Sequence, residues 1–359
     1  EVVDQLVNLY NQGQLSAALE QAQALTDKYP EAFIVWNILG ASAVQIGMLE
    51  EAIEAYDKCI SLKPDYAQAY SNMGFALKNQ GKLDEAIEAY NKCISLKPDY
   101  AQAYSNMGFA LQDQGKLDEA IEAYNKCISL KPDYAHAYSY MGVALQNQGK
   151  LDEAIEAYNK SISLKPDYAD AYSNMGLALK DQGKLDEAIE ACNKAISLKP
   201  DYADAYINMG LALKDQGKLD EAIKAYNKCI SLKPDFAKAY SNMGIVLKDQ
   251  GKLDESIVAY KKALLIKPDY AEIHHNLCFV LLNSGRLKEG LDENEWRWKT
   301  PKFLSQQRYF SQPLWDGKKS LNGKKILLWC EQGIGDTLNW SSCLSLVTSM
   351  AEHCILECQ

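Results

Sequence analysis

Residues 67–100 read AQAYSNMGFALKNQGKLDEAIEAYNKCISLKPDY, and the following 34 residues repeat them with two changes. Gln112 stands in place of Lys78, and Asp113 in place of Asn79. Self-similarity at a fixed period predicts stacked units, none of which can bury its apolar face alone. Three series of anchors recur at this spacing. They are Gly40, Gly74, Gly108, Gly142, Gly176, Gly210 and Gly244; Gly13, Gly47, Gly81, Gly115, Gly149, Gly183, Gly217, Gly251 and Gly285; and Pro30, Pro64, Pro98, Pro132, Pro166, Pro200, Pro234 and Pro268.

Each unit predicts a pair of helices, because apolar and small residues recur at helical spacing in two runs. The first face is Tyr70, Met73, Gly74 and Leu77. The second is Leu83, Ala86, Ile87, Tyr90, Cys93 and Ile94. Between them, Gly81 suits the left-handed residue that ends a helix. Pro98 should stop the second helix, because it lacks an amide donor. We expect Asp99 to cap the next first helix.

The mid-helix glycine at position 74 asks for a physical reason. Glycine inside a helix costs roughly 1 kcal/mol relative to alanine. The same residue recurs at the aligned positions of other units. We therefore expect a close approach of the second helix, with Ala86 facing Gly74.

The spacing of these anchors resembles that of the tetratricopeptide repeat (TPR). The matching positions are Tyr70, Gly74, Ala86, Tyr90, Cys93 and Pro98. The resemblance covers residues 1–300 and implies an all-α fold, a right-handed α-solenoid of tandem helix pairs. We expect eight full or nearly full repeats and a degenerate ninth in residues 1–295. A basic, aromatic linker or end cap should follow in residues 296–323, and a short βαβ fragment in residues 324–359.

The ninth repeat departs from the others in its second half. Gly290 replaces the small alanine, and Asn294 replaces the aromatic residue. Atypical terminal repeats are expected in such arrays. Trp296, Trp298 and Phe303 follow, and they could either cover the apolar end of the stack or form an aromatic ligand site.

The charge distribution disfavours a general nucleic-acid binder, because the net charge is -10. Residues 297–325 carry eight cations and one anion, so this stretch has a charge of +7 and the rest has -17. Two readings of this basic stretch stay open. It is a solvated linker lying against an acidic solenoid, or it is a surface that faces phosphate.

The ten cysteines do not form a disulfide or metal framework. Cys59, Cys93, Cys127 and Cys229 share one repeat position, where Ser161 and Ala195 also occur, which indicates a small packing slot. Free thiols favour a reducing compartment, so we expect a cytoplasmic protein. No apolar run approaches the ~18 residues that a membrane span needs.

The pattern changes near residue 325. Residues 325–330, KILLWC, are typical of a buried strand, and residues 331–336, EQGIGD, form a glycine-containing loop. A helix is predicted over residues 337–350 and a second strand over residues 354–358. Strand, loop, helix and strand make one βαβ unit. We expect it to be a piece of a larger α/β domain.

The first candidate site is a row of asparagines on the first helices: Asn72, Asn106, Asn174, Asn208, Asn242 and Asn276. Helical geometry places this row beside the apolar face, towards the inner, concave curve of a solenoid. Side-chain amides can donate to and accept from an extended peptide backbone. The row resembles the asparagine ladder in the repeats of O-linked N-acetylglucosamine transferase. The alternative is that duplication copied a neutral polar residue.

Two neighbouring rows vary between units that are otherwise near copies. One is Gln68, Gln102, His136, Asp170, Asp204, Lys238 and Glu272. The other is Lys78, Gln112, Gln146, Lys180, Lys214 and Lys248. We expect both to face the groove and to give selectivity. The cations alternate with aspartates, which argues against a dedicated clamp for a terminal carboxylate.

The second candidate site is EQGIGD, because a glycine loop that opens a helix presents free amides to an anion. Together with EWRW, PLWDG, KKILLWC and ILECQ, it resembles the junction between TPR arrays and heptosyltransferase-like glycosyltransferase domains of bacterial proteins. The resemblance implies that Asp336 is a candidate base for the acceptor hydroxyl and that Gly333 and Gly335 shape a cofactor-binding loop. Asp336 could equally cap the helix. Relatives often carry arginine and tyrosine where this chain has Ser342 and Cys343.

These observations favour a protein- or peptide-binding TPR scaffold whose concave groove is the acceptor-recognition region of a larger glycosyltransferase. The alternatives are a pure interaction scaffold and a self-assembling array without an enzymatic role. We expect no catalysis and no cofactor in these residues, and a sugar nucleotide as the cofactor of the larger enzyme. We expect no nucleic-acid or membrane partner, and self-association is physically easy for near-identical repeats.

Overall fold

The computed structural model describes residues 2–300, 320, 322, 324–329, 349–351 and 353–357. The chain divides into two compact units, Glu1–Gln250 (unit 1) and Gly251–Gln359 (unit 2). The domain boundaries predicted at 295/296 and 323/324 stay predictions.

Unit 1 is built from consecutive helix pairs. The bounds are α1 Val2–Asn11, α2 Leu15–Lys28, α3 Phe33–Gln45, α4 Leu49–Leu62, α5 Ala67–Asn79, α6 Leu83–Leu96, α7 Ala101–Asp113, α8 Leu117–Leu130, α9 Ala135–Asn147, α10 Leu151–Leu164, α11 Ala169–Asp181, α12 Leu185–Leu198, α13 Ala203–Asp215, α14 Leu219–Leu232 and α15 Ala237–Asp249. The first helices from α3 to α15 begin at the predicted repeat starts. Each first helix from α1 to α13 contacts its own second helix and the first helix of the next pair. The predicted tandem helix pairs are confirmed.

The turns inside the pairs follow the predicted glycine chemistry. Gly81 has φ +82, in the left-handed region, as do its equivalents. The amide of Lys82 then donates to the carbonyl of Leu77 at 3.0 Å. Glycine reaches this conformation at little steric cost, so one residue type can close every turn.

The predicted cap at Asp99 is wrong. The next first helix begins at Ala101, and the residue before it, Tyr100, makes no side-chain capping bond. The backbone amide of Tyr100 donates to the carbonyl of Lys97 at 3.1 Å. Because of this tight turn, the N-cap position falls on Tyr100. Asp99 lies one residue before that position and does not act as the N-cap.

The atoms nearest to the packing glycine belong to an aromatic ring of the second helix. The predicted approach of the second-helix alanine is seen at Gly176, where the carbonyl of Ala188 lies 3.1 Å from an added Cβ atom. A Cβ atom built on Gly74 would lie 2.7 Å from Cε1 of Tyr90. The same ring contact occurs at Gly40, Gly108, Gly142 and Gly210. The close approach of the second helix is therefore real, and the buried tyrosine ring makes it.

The core of each pair is completed by the next first helix. One cluster joins buried Leu77, Ala86 and Tyr90 to Ala110 of α7. The shared cysteine slot is buried, and burial raises the pKa of the Cys93 thiol to about 11. Ser161 occupies the same slot and donates to the carbonyl of Ala135 at 2.8 Å. A single pair therefore leaves part of its apolar face for its neighbour to cover.

Unit 2 contains α16 Leu253–Ile266, α17 Ala271–Asn283, α18 Leu287–Asn294 and a 3₁₀ helix Glu295–Lys299. The ninth repeat departs as predicted, because α18 is 8 residues long where the other second helices have 14. Trp296 stacks on His274 with ring centroids 3.8 Å apart. The ring of Trp298 lies 4.8 Å from the guanidinium of Arg297. Phe303 lies outside the described residues.

Both predicted strands are present: the first ends one residue earlier than predicted, and the second begins and ends one residue earlier. They are β1 Lys325–Trp329 and β2 His353–Glu357, paired in parallel with Lys325 opposite His353. The predicted helix 337–350 lies outside the described residues except for its last two positions, so the βαβ unit as a whole stays a prediction. Among the helices that the structure describes, none has both the length and the apolar character needed to cross a bilayer.

Candidate functional site

The predicted asparagine row lies on the first helices, all but Asn276 in unit 1, and some of its members are already engaged in hydrogen bonds. Nδ2 of Asn72 donates to Oδ1 of Asn37 at 3.2 Å. Nδ2 of Asn208 donates to Oγ of Ser173 at 3.0 Å and to its carbonyl at 3.3 Å. Both contacts join neighbouring first helices. The row therefore helps to hold the repeats together, which sequence reasoning missed because it depends on the distance between helices.

The members of the row differ in their surroundings. Asn72, Asn106, Asn174 and Asn208 are half-buried. Nδ2 of Asn242 is buried without a hydrogen-bond partner among the described residues. Asn276 lies in unit 2 and is half-buried. Whether the row binds a peptide stays a prediction.

A directional relay of hydrogen bonds runs through the first two members of the row. The hydroxyl of Tyr100 donates to Oε1 of Gln68, and Nε2 of Gln68 donates to Oδ1 of Asn72 at 2.8 Å. One repeat further, the hydroxyl of Tyr134 donates to Oε1 of Gln102 at 2.5 Å. Nε2 of Gln102 then donates to Oδ1 of Asn106 at 2.8 Å. Each amide carbonyl therefore already accepts a hydrogen bond.

An apolar row accompanies the amides and was not predicted. Its members stand three positions after the asparagine row: Phe75, Phe109, Val143, Leu177, Leu211 and Ile245. Residues three apart on a helix are surface neighbours. Phe75 is 40% exposed, and the others are half-buried. We call the surface of unit 1 that carries the asparagine row and this apolar row the groove. The signal was available as a repeated large side chain directly after the packing glycines from Gly74 to Gly244.

The variable row of lysines is neutralised locally. Nζ of Lys180 lies 2.7 Å from Oδ1 of Asp181, and Nζ of Lys214 lies 3.1 Å from Oδ1 of Asp215. In the repeat before, Nε2 of Gln146 donates to Asp181 at 3.1 Å. The paired aspartates explain why this row is a poor clamp for a free carboxylate.

The fifth repeat, which begins at Ala135, has rings where other repeats have amides. Tyr140 replaces the asparagine and packs edge-on to Phe109 at 5.5 Å between centroids. His136 replaces the glutamine and contacts the ring of Tyr168 at 4.6 Å. Burial lowers the pKa of His136, the nearby Lys165 lowers it further, and Asp170 opposes them. The lowered pKa favours the neutral form of His136, whose ring joins those of Tyr140 and Tyr168 in an aromatic patch.

A cavity of about 350 Å³ opens at the N-terminal end of the groove. Asn72 and Asn106 of the asparagine row line it, together with Gln68 and Gln102 of the variable row. Phe75 of the apolar row completes this part of the wall. Three kinds of groove residue therefore meet in one cavity. Within the described residues, no cluster of His, Cys, Asp or Glu could hold a metal ion.

The sequence matches two family models of TPR proteins. A model for the C-terminal domain of cilia and flagella-associated protein 70, a tetratricopeptide-repeat domain, matches residues 4–233. The chain belongs to this TPR family. A second model, for the TPR repeat itself, matches residues 244–285. No curated protein matches the chain.

Solved TPR structures share the fold. In the crystal structure of the APC/C hetero-tetramer Cut9-Hcn1, one chain aligns with a TM-score of 0.60 and 18% identity, over 78% of this chain and 55% of that one. A TPR protein from Parabacteroides merdae ATCC 43184 aligns with a TM-score of 0.58 and 19% identity, over 72% of this chain and 98% of that one. The TPR chain thus spans about half the length of its Cut9-Hcn1 match, and both likenesses concern the fold alone.

The second candidate site of this TPR protein lies outside the described residues. Asp336, Gly333 and Gly335 all fall in residues 330–348, between the two paired strands. Their roles as base and cofactor loop stay predictions.

Proposed function

We propose that this TPR protein binds an extended segment of a partner protein along the groove of unit 1. One observation carries the proposal: a row of amides runs beside a row of large apolar side chains, of which Phe75 is 40% exposed. Amides suit the backbone of an extended chain, and an apolar row suits alternate side chains. Contiguous accessible apolar surface indicates an interaction site, and this row leaves Phe75 exposed and its other members half-buried.

The test is a triple variant, Asn106→Ala, Asn174→Ala and Asn208→Ala, probed with an array of capped random 12-residue peptides. We expect peptide capture to fall by about tenfold or more, because each net hydrogen bond contributes ~1 kcal/mol and 1.4 kcal/mol is tenfold. The matched control changes Asn91, Asn125 and Asn159, which are exposed on second helices. Equal capture by both triple variants and the unaltered protein would contradict the proposal.

A second, finer candidate is the acceptor-recognition region of a larger glycosyltransferase. It is supported by the parallel pairing of β1 with β2, because parallel strands need a crossover connection and EQGIGD stands in it. On this candidate, Asp336 is the base, Gly333 and Gly335 shape the loop, and the cofactor is a sugar nucleotide. Sugar-nucleotide hydrolysis by a longer protein that includes the rest of such a domain should drop in an Asp336→Ala variant. Equal hydrolysis by both proteins would exclude that role.

A further inference from the structure

The cavity at the start of the groove exists because one repeat carries smaller side chains. Ala41 occupies the position held by Phe75 and Phe109 in the next two repeats. Val44 occupies the position held by Lys78. The missing volume opens about 350 Å³ beside the half-exposed ring of Phe75. That volume stands near the lower end of the ~300–1,000 Å³ range of small-ligand pockets. It therefore suits one side chain with its flanking backbone.

The wall of this cavity is uncharged. Its apolar part includes Ile38, Ala41, Val44 and Phe75, and every other lining residue is an amide, a hydroxyl residue or a tyrosine. Later repeats of the same groove carry charges in the equivalent rows, among them Asp170. Because an unpaired charge is costly to bury, the cavity selects against a charged side chain.

The hydrogen bonds in the polar part of the wall all run in one direction, from Tyr100 through Gln68 and Asn72 to Asn37. The carbonyl oxygens of Gln68 and Asn72 accept bonds from Tyr100 and Gln68, and that of Asn37 accepts from Asn72. A side-chain amide has two N–H donors. Gln68 and Asn72 each use one side-chain N–H group in this relay. The second N–H group of each amide can donate to a ligand. The wall can therefore donate to the carbonyl oxygens of a ligand.

From these features we infer that the cavity is a specificity pocket for one large apolar side chain, leucine or phenylalanine, in an uncharged stretch of a partner protein. The backbone carbonyls on either side of that side chain accept from the amides of Gln68, Asn72 and Asn106. This inference rests on the proposed function, because it specifies which part of the bound segment is read and where.

The test uses capped nonapeptides of glycine and serine with one central Phe, Leu, Lys or Glu. We expect the Phe and Leu peptides to bind at least about tenfold more tightly than the Lys and Glu peptides, since burying one large apolar side chain is worth that much. Ala41→Phe fills the cavity with the residue that the next two repeats carry, and it should weaken the Phe and Leu peptides about tenfold. The matched control, Asn91→Phe, adds the same ring at an exposed position of a second helix outside the groove and should leave their binding unchanged.

A second variant keeps the inference testable if Ala41→Phe fails to fold. Val44→Lys places the residue of the next repeat at the rim, and it should weaken the Phe and Leu peptides while improving the Glu peptide. Equal affinities for all four peptides, or full binding by both cavity variants, would overturn the inference. Loss of binding in the Asn106, Asn174 and Asn208 triple variant alongside full binding by Ala41→Phe would leave the groove as the binding surface and remove the pocket alone.

Discussion

A Cβ atom added to Gly108 would lie 2.7 Å from Cε1 of Tyr124. The tyrosine ring thus fills the volume that a side chain at position 108 would need. Gly108→Ala should destabilise the protein by about 1 kcal/mol, because overpacking costs ~1–3 kcal/mol and the gain in helix propensity returns only ~1 kcal/mol. Urea unfolding followed by circular dichroism measures the difference.

The sign of this effect should depend on the ring. In a Tyr124→Ala background the obstacle is gone, so Gly108→Ala should stabilise by ~0.5–1 kcal/mol through helix propensity alone. A destabilising effect of equal size in both backgrounds would show that the ring is not the reason for the glycine.

The buried tyrosines make a second matched comparison. The hydroxyl of Tyr158 donates to Oε1 of Gln146 at 3.1 Å, whereas the buried hydroxyl of Tyr90 has no partner among the described residues. Tyr158→Phe should cost about 1 kcal/mol, and Tyr90→Phe should gain about that much, because a buried hydroxyl without a partner is costly. Thermal unfolding of the two variants side by side decides this, and a loss of stability in both would refute it.

The buried thiols predict how stability depends on alkaline pH. Burial raises the pKa of the Cys59, Cys93, Cys127 and Cys229 thiols from 9.0 to about 11. The folded protein therefore holds these protons more tightly than the unfolded chain. The stability that they contribute is complete below pH 9 and is lost as the pH rises towards 11.

The measurement is the free energy of unfolding between pH 8 and pH 11. Cys93→Ala should make its decline with pH less steep, and it should fold because Ala195 occupies the same slot. Ser95→Ala, at an exposed position of the same helix, should leave the slope unchanged. If Cys93→Ala leaves the pH dependence of the unfolding free energy unchanged, the raised pKa of this thiol would be contradicted.

His136 makes a prediction at acid pH. Burial and Lys165 lower its pKa and Asp170 raises it, so its midpoint in an NMR titration should lie below that of free histidine. Asp170→Asn should move the midpoint further down, and Lys165→Gln should move it up. Because the folded pKa is depressed, the stability that neutral His136 contributes is present at neutral pH and is lost as the pH falls through the folded pKa. Shifts of the opposite sign in the two variants would rule out this electrostatic account.

The periodic features of the fold could be predicted because each anchor packs against other anchors. Gly81, Tyr90 and Pro98 recur with the same neighbours, so one unit specifies the helix bounds of all. The cap was misplaced because the turn after Pro98 adds a residue, which only backbone geometry reveals. The ring opposite Gly74 escaped prediction because several apolar residues share the second helix, and their spacing alone does not show which side chain lies nearest to the glycine.

The candidate site was less accessible to sequence reasoning. The asparagine row was found because it repeats, but its bond from Asn72 to Asn37 depends on how neighbouring helices approach. The cavity arises from what Ala41 and Val44 lack, and an absence of volume has no signature in a periodic pattern. The sequence could therefore indicate which face of the first helices carries the candidate site, but it could not locate the cavity on that face.

Hydrogen bonds between repeats keep a constant offset along unit 1. Nε2 of Gln114 bonds Asp84, Nε2 of Gln148 bonds Asp118, and Nε2 of Gln182 bonds Asp152, each over 30 residues. Each of these contacts pairs a glutamine amide with an aspartate carboxylate. A repeat could therefore be gained or lost by unequal recombination, and the repeats on either side would still form the same hydrogen bond. Such an event would change the length of the proposed binding groove, while the cavity beside Ala41 would stay at its N-terminal end.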